Sequence, residues 1–256
     1  MTLSLPRLAR PGAVFGAVCF AALAATPADA GAPFTSDDGG ITKNWEIDLQ
    51  SAGTKTARDF GATLPSIEVD YGLTPRIQLH LVMPFAFTNT AGAPRQWGYG
   101  DTELGVKIRI IDPPEDSWMP RVAVYPLIQT PTGDSKRGLG SGHVRAFLPI
   151  WMDKELAEGW TAFGGGGFWI SQLPTSRNYW YVGGGLMHDL TEKLHIGAEV
   201  FHQTGSLANR PTTGFNLGGI YDVNEVVHVL ASAGRGVRNV STTNEFTYYL
   251  ALQFTF

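Results

Sequence analysis

The chain closes on a strict alternation of apolar and polar positions. From Glu245 to Phe256, the residues Phe246, Tyr248, Leu250, Leu252, Phe254 and Phe256 fall on one face, and Thr247, Tyr249, Ala251, Gln253 and Thr255 on the other. That is a two-faced β-strand of membrane-spanning length with one greasy side. The same period-2 reading predicts strands near 43–50, 65–71, 77–86, 99–111, 121–129, 143–152, 160–170, 179–188, 194–203, 213–221, 226–234 and 245–256. A missed or split hairpin would change this even count of twelve by two.

The connections between these strands fall into two classes that alternate along the chain. Short turns are expected at 72–76, 112–120, 153–159, 189–193 and 222–225; longer loops rich in Gly, Ser, Thr, Pro and Asn at 51–64, 87–98, 130–142, 171–178, 204–212 and 235–244. A β-sandwich gives no reason for such alternation, whereas a transmembrane barrel has short periplasmic turns and long outer loops. Three hairpins also share one plan, beginning at Tyr71-Gly-Leu-Thr-Pro-Arg, His188-Asp-Leu-Thr-Glu-Lys and Tyr221-Asp-Val-Asn-Glu-Val. Aromatics lie near both kinds of connection: Tyr71, Trp118, Trp151, Trp160, Tyr221 and Phe256 by the short turns, and Phe87, Trp97, Tyr99, Trp169, Tyr179, Phe201, Phe215 and Phe246 by the long loops. Two aromatic belts suit two membrane interfaces. The expected fold is all-β, a closed antiparallel transmembrane meander barrel of twelve strands.

The beginning of the chain reads as a secretory signal over residues 1–30, leaving 31–256 as one barrel domain. Arg7 and Arg10 form a positive start, Ala13 to Ala25 an apolar stretch, and Ala28-Asp29-Ala30 a small-residue cleavage site. About 13 apolar residues are too few for a spanning helix, which needs roughly 20. The single cysteine, Cys19, lies in this segment, and Gly16 three positions earlier disfavours lipid attachment. The remainder therefore has no disulfide, thiolate metal site or cysteine nucleophile. Loss of Arg7, Arg10 and Asp29 leaves 17 basic against 22 acidic residues, a shift in net charge from -4 to -5. No basic stripe marks a nucleic-acid partner.

If Phe256 faces lipid, the opposite parity of each strand faces the lumen. That places Glu46, Asp48, Glu68 and Asp70 on one wall with Glu199 on the ninth strand, and Glu103, Lys107, Arg109, Arg121 and Arg145 on the fourth to sixth. Segregated charge of this kind sets up a transverse field that orients a polar solute. Equally, such residues form salt-bridged networks that fill a modest barrel. Glycine runs at 164–167, 183–185 and 218–219 lie inside strands, without the Lys-Ser/Thr of a phosphate loop, and are expected to make room for neighbouring aromatics such as Trp169 and Trp180.

Candidate chemistry is sparse. His202-Gln-Thr204-Gly-Ser206 partly matches outer-membrane acyl hydrolases that place a His and a Ser two residues apart at the barrel rim, but Thr204 occupies the nucleophile position and only Asn209 suggests itself as an orienting group. His80, His143, His188, His195 and His228 are scattered without metal-ligand spacing, and His195 and His228 are both expected to project inward. This reading assigns no catalytic residue, no metal and no cofactor.

Gly100-Asp-Thr-Glu-Leu-Gly-Val-Lys107, Gly214-Phe-Asn-Leu-Gly-Gly-Ile-Tyr-Asp222, Ser232-Ala-Gly-Arg-Gly236 and Tyr248-Tyr-Leu-Ala-Leu252 stand in an order that resembles the outer-membrane family described by the MetA pathway of phenol degradation, from about Ile67 onward. The resemblance implies a twelve-stranded barrel in the Gram-negative outer membrane. It implies a transporter that passes small organic, including aromatic or hydrophobic, compounds. In that family the stretch around His202 is an ordinary part of the pattern. The partners expected are outer-membrane lipid, a small organic solute and the barrel assembly machinery, read through the terminal Phe256. The pattern is compatible with an open lumen and with a plugged one.

Overall fold

Period-2 alternation becomes a ladder of hydrogen-bonded hairpins. The computed structural model describes residues 31–114, 117–172, 177–206 and 210–256; the expected signal segment lies outside them. Among the described residues the strands are β1 (Trp45–Lys55), β2 (Asp59–Thr74), β3 (Ile77–Thr90), β4 (Gln96–Tyr99), β5 (Glu103–Ile111), β6 (Arg121–Val124), β7 (Leu127–Gln129), β8 (Arg145–Ala157), β9 (Trp160–Ser171), β10 (Tyr179–Thr191), β11 (Leu194–Gln203), β12 (Thr212–Asp222), β13 (Val227–Arg238) and β14 (Phe246–Thr255). They build twelve staves. β4 and β5 pair in succession along β3, and β6 and β7 lie in succession along β8.

The barrel closes where β14 pairs antiparallel with β1, from Glu46 opposite Thr255 to Lys55 opposite Phe246. Closure matters because an open edge in hydrocarbon leaves backbone N–H and C=O groups unsatisfied at several kcal/mol each. Outside, Leu49, Leu79, Leu104, Ile150, Leu186, Val200, Leu217 and Leu250 are exposed around the circumference. An apolar band of this extent on a closed barrel is matched by the interior of a membrane. In β14 the two faces separate as the alternation predicts, with Ala251, Gln253 and Thr255 buried while Leu250, Leu252 and Phe256 are exposed.

Several boundaries differ from the alternation. Residues 51–64 and 87–98, expected as loops, are mostly strand: β1 and β2 run on to a turn at 56–58, and β2 pairs with β3 as far as Asp59 opposite Thr90. Beyond the apolar band a hairpin needs no greasy face. Its ladder and contacts such as Thr54 with Thr247 and Ser51 with Tyr248 carry it. At the other end, β8 continues to Ala157, so the expected turn at 153–159 shrinks to Glu158 and Gly159, the glycine taking φ +69°.

The aromatic belts also need correction. Trp151, Tyr179 and Phe201 are buried inside the barrel, and Trp169 packs against them; all four belong to the lumen filling and not to an interface. Trp45, Trp97, Trp160, Trp180, Tyr221, Phe246 and Phe256 remain exposed near strand ends. Tyr125, Leu127, Phe147, Trp151, Tyr181 and Phe201 form one packed cluster on the inner wall of β6 to β11. The strand glycines do not make room for Trp169 or Trp180: a Cβ at Gly165 or Gly167 would first strike the β8 backbone at Ile150 and Pro149, and then press on Trp151 and Phe147 of this cluster.

Candidate functional site

Residues 31–44 precede β1, form no strand, and turn back into the barrel. Asn44 is fixed near the short-turn end, its carbonyl accepting from Gly72 N at 2.7 Å. From there the segment crosses the lumen. Thr42 N donates to Gln78 Oε1 at 2.9 Å on β3, the Gly39 carbonyl accepts from Arg109 Nε at 3.1 Å on β5, and Gly39 N donates to Asp153 Oδ1 at 2.9 Å on β8. Asp37 and Asp38 pair with Lys107 Nζ at 3.0 and 3.5 Å. On the far wall, Ser36 N and Thr35 N donate to Glu199 at 2.6 and 3.2 Å, Ser36 Oγ meets Tyr181 OH at 3.0 Å, and the Phe34 ring stacks on Phe163 at 5.5 Å. Gly183 is glycine because a side chain there would collide with Ser36.

The segment lies between two cavities. One, about 510 Å³, is bordered by the acidic wall of β1 to β3 on one side and by Tyr125, Phe147, Trp151, Trp169 and Tyr181 on the other. The second, about 560 Å³, lies toward the short-turn end among Pro113, Met119, Asp153, Met187, Glu192 and His195. Ala32, Asp38 and Arg121 touch both. Backbone crossing from β3 to β11 is thus the partition of the lumen, held by charge-assisted hydrogen bonds of the stronger kind.

The ten lumen candidates occupy distinct places. Glu46, Asp48, Glu68, Asp70, Glu103, Lys107, Arg109 and Arg121 border the first cavity. Glu199, only 1% exposed, is the anchor of residues 35 and 36, and also accepts from Tyr181 OH and Asn216 Nδ2. Arg145 donates to Tyr179 OH at 2.6 Å with its guanidinium 4.6 Å from the Trp169 ring centre. Arg121 is bound through two nitrogens to Asp153 at 2.6 and 2.8 Å. Alternation could not reveal these partners, because parity gives the face of a residue and not the register that sets Arg121 opposite Asp153 or Glu199 opposite Asn216 on the adjoining stave.

Sequence reasoning missed the segment itself. A stretch with no periodicity carries no elemental signal; only its acidic pair, Asp37-Asp38, and the glycines Gly39-Gly40 hinted at docking on a basic wall. It also missed His80, buried on β3 between Asp70 and Glu103. His195 and His228 do face inward, and with two carboxylates they make a chain at the short-turn rim: Asp189 to His195 at 2.6 Å, His195 to Asp222 at 3.0 Å, Asp222 to His228 at 2.6 Å, and His228 to Thr255 Oγ1 at 3.0 Å. This links β10 to β14 across the closing region. The hydrolase arrangement does not assemble: His202 Nδ1 bonds Thr213 Oγ1 at 2.8 Å, while Thr204 Oγ1 accepts from Trp180 N at 2.8 Å. Asn209 lies outside the described residues.

A twelve-stave barrel with an apolar exterior and a polar, partitioned lumen is the architecture of an outer-membrane channel. The chain belongs to the family described as "Putative MetA-pathway of phenol degradation", whose model matches residues 26–254. No curated protein sequence matches it. Among solved structures it is similar to the COG4313 outer membrane channel from Pseudomonas putida F1, with a TM-score of 0.73 at 14% identity over 84% of this chain and 96% of that one. It is also similar to the KdgM porin, with a TM-score of 0.57 at 11% identity over 82% and 99%. The NanC porin gives a TM-score of 0.55 at 7% identity over 82% and 98%. At these identities the likeness is one of fold.

Proposed function

We propose that the protein is a channel of the Gram-negative outer membrane through which small organic compounds pass passively, with residues 31–44 as its constriction. The observation that carries this reading is the lumen itself: two cavities of solute size, divided by a segment that is hydrogen-bonded to the wall and not part of it. An aromatic wall facing an acidic one suits compounds with an apolar ring and a polar end, in keeping with the family's pathway association. The reading assigns no catalytic residue, since the groups that hydrolysis would need are engaged elsewhere. Outer-membrane lipid and the assembly machinery are its expected partners, and nucleic acid is not.

The test is uptake into liposomes of small aromatic and aliphatic solutes by the full chain and by a variant lacking residues 31–41. Uptake by the variant faster than by the wild type, with both migrating as heat-modifiable barrels, is the expected result. Equal impermeability of both to every solute would instead make this a structural, non-conducting barrel.

A further inference from the structure

Three side chains of the hairpin-paired strands β2 and β3 are brought together on the acidic wall. Asp70 on β2 stands directly opposite His80 on β3, and Glu68, two residues before Asp70, shares its face. His80 Nδ1 lies 2.9 Å from Asp70 Oδ1 and 3.5 Å from Glu68 Oε1, and the three donor atoms are all within 4.8 Å of one another. Ligands about 2.0–2.2 Å from a tetrahedral ion stand roughly 3.4 Å apart, so shifts of an ångström or so would seat one. The other ring nitrogen is already placed as a metal-bound histidine requires: Nε2 is 3.3 Å from Glu103 Oε1, and Glu103 Oε2 is held by Gln129 at 2.9 Å. A carboxylate on the distal nitrogen fixes the tautomer that leaves Nδ1 free to bind metal.

A second observation points to a missing cation. Asp48, directly opposite Glu68 across β1 and β2, is 95% buried; its Oδ2 accepts from Tyr249 and Gln253 of β14 at 3.5 and 3.4 Å, while its Oδ1 has no partner among the described residues. Gln253 Oε1, beside it and 1% exposed, is orphaned as well. Buried acceptors are ordinarily satisfied, and buried like charges are costly without a counter-charge. Lys107, the base on the adjoining stave, is engaged with Asp37 and Asp38. The wall thus offers negative charge and unused acceptors around one imidazole.

We propose that Glu68, Asp70 and His80 bind one divalent first-row transition-metal ion in the lumen, beside the unsatisfied carboxylate of Asp48, with Glu103 as the positioning residue for His80. Mixed imidazole and carboxylate donors suit ions such as Zn²⁺, Co²⁺ and Ni²⁺ over Ca²⁺ or Mg²⁺, which favour all-oxygen shells. Because Asp48, Glu68, Asp70 and His80 border the first cavity, the ion is reachable from the lumen. The site is independent of whether the barrel conducts.

The experiment uses the full chain in detergent, free of any polyhistidine tag and stripped by chelator, titrated with Zn²⁺ by calorimetry and with Co²⁺ by visible absorption. One ion per barrel is expected, with d–d bands of a nitrogen- and oxygen-ligated Co²⁺. Glu68→Gln and His80→Gln should each weaken binding at least tenfold, and Glu103→Gln, which touches no metal, by about 10- to 100-fold. Heat-modifiable migration checks that each variant is a barrel. If His80→Gln does not fold, the near-isosteric Glu68→Gln and the wild-type Co²⁺ spectrum decide. Absence of stoichiometric binding, or binding unchanged in Glu68→Gln, would overturn the site and leave His80 as the centre of a salt-bridge network.

Discussion

Glu199→Gln is the sharpest probe of the constriction. Each carboxylate oxygen of Glu199 accepts one bond from the segment and one from the wall: Oε1 from Ser36 N and Tyr181 OH, Oε2 from Thr35 N and Asn216 Nδ2. The amide keeps the shape but turns one oxygen into a donor. Whichever way it is oriented, the segment loses one bond to a charged acceptor and meets a donor in its place. A hydrogen bond to a charged group is worth about 1.5–3 kcal/mol, which corresponds to roughly a 10- to 150-fold shift toward the undocked segment. Gly39, Thr42 and the Lys107 pairs still hold the other end, so local release at residues 34–36 is expected before full clearance of the lumen. Hydrogen exchange at the Thr35 and Ser36 amides should therefore quicken by one to two orders of magnitude, with a smaller rise in solute uptake by liposomes. The barrel should keep its heat-modifiable migration. Unchanged exchange at those two amides in a folded variant would show that Glu199 does not anchor the segment and would remove the basis for treating it as a movable constriction.

The remaining substitutions separate lumen charge, assembly and chemistry. Arg145→Glu, which breaks a bond to Tyr179 and a stack on Trp169, should shift ion preference toward cations in a planar bilayer at a cost of about 1.5–3 kcal/mol, whereas Arg121→Glu should destabilise more in a thermal or denaturant melt because it leaves the buried Asp153 facing a second acid. An equal melt for the two variants would contradict the pairing. Deletion of Phe256 removes a side chain that is 57% exposed on the outer face and a backbone bond to the Trp45 carbonyl at 2.9 Å. Since the ladder of β1 and β14 survives that loss, the deletion should lower outer-membrane yield in cells sharply while refolding in detergent proceeds; equal yields would show that Phe256 is no assembly signal. His202→Ala should leave fatty-acid release from phospholipid at background, and any activity lost with it would reopen the hydrolase reading.

Alternation by itself determined the barrel. Side chains in a strand point to opposite faces with period 2, and a membrane on one side and a polar lumen on the other impose that period on each stave, so the twelve-stave barrel and its closing strand followed from residue order. Where that constraint lapsed, legibility lapsed too. The β1–β2 hairpin beyond the apolar band and the tail of β8 needed no greasy face, and both ran on where loops were expected. Trp151, Trp169, Tyr179 and Phe201 were placed at interfaces because proximity to a strand end is visible in sequence, while the tertiary structure put them inside, where the glycine-rich staves β9 and β10 leave room. What only the fold decided is what meets inside the lumen. Glu199 with Ser36, Lys107 with Asp37, and His80 with Glu68 and Asp70 are meetings set by stave order and register, and by a segment without periodicity that finds its place only once the cylinder exists.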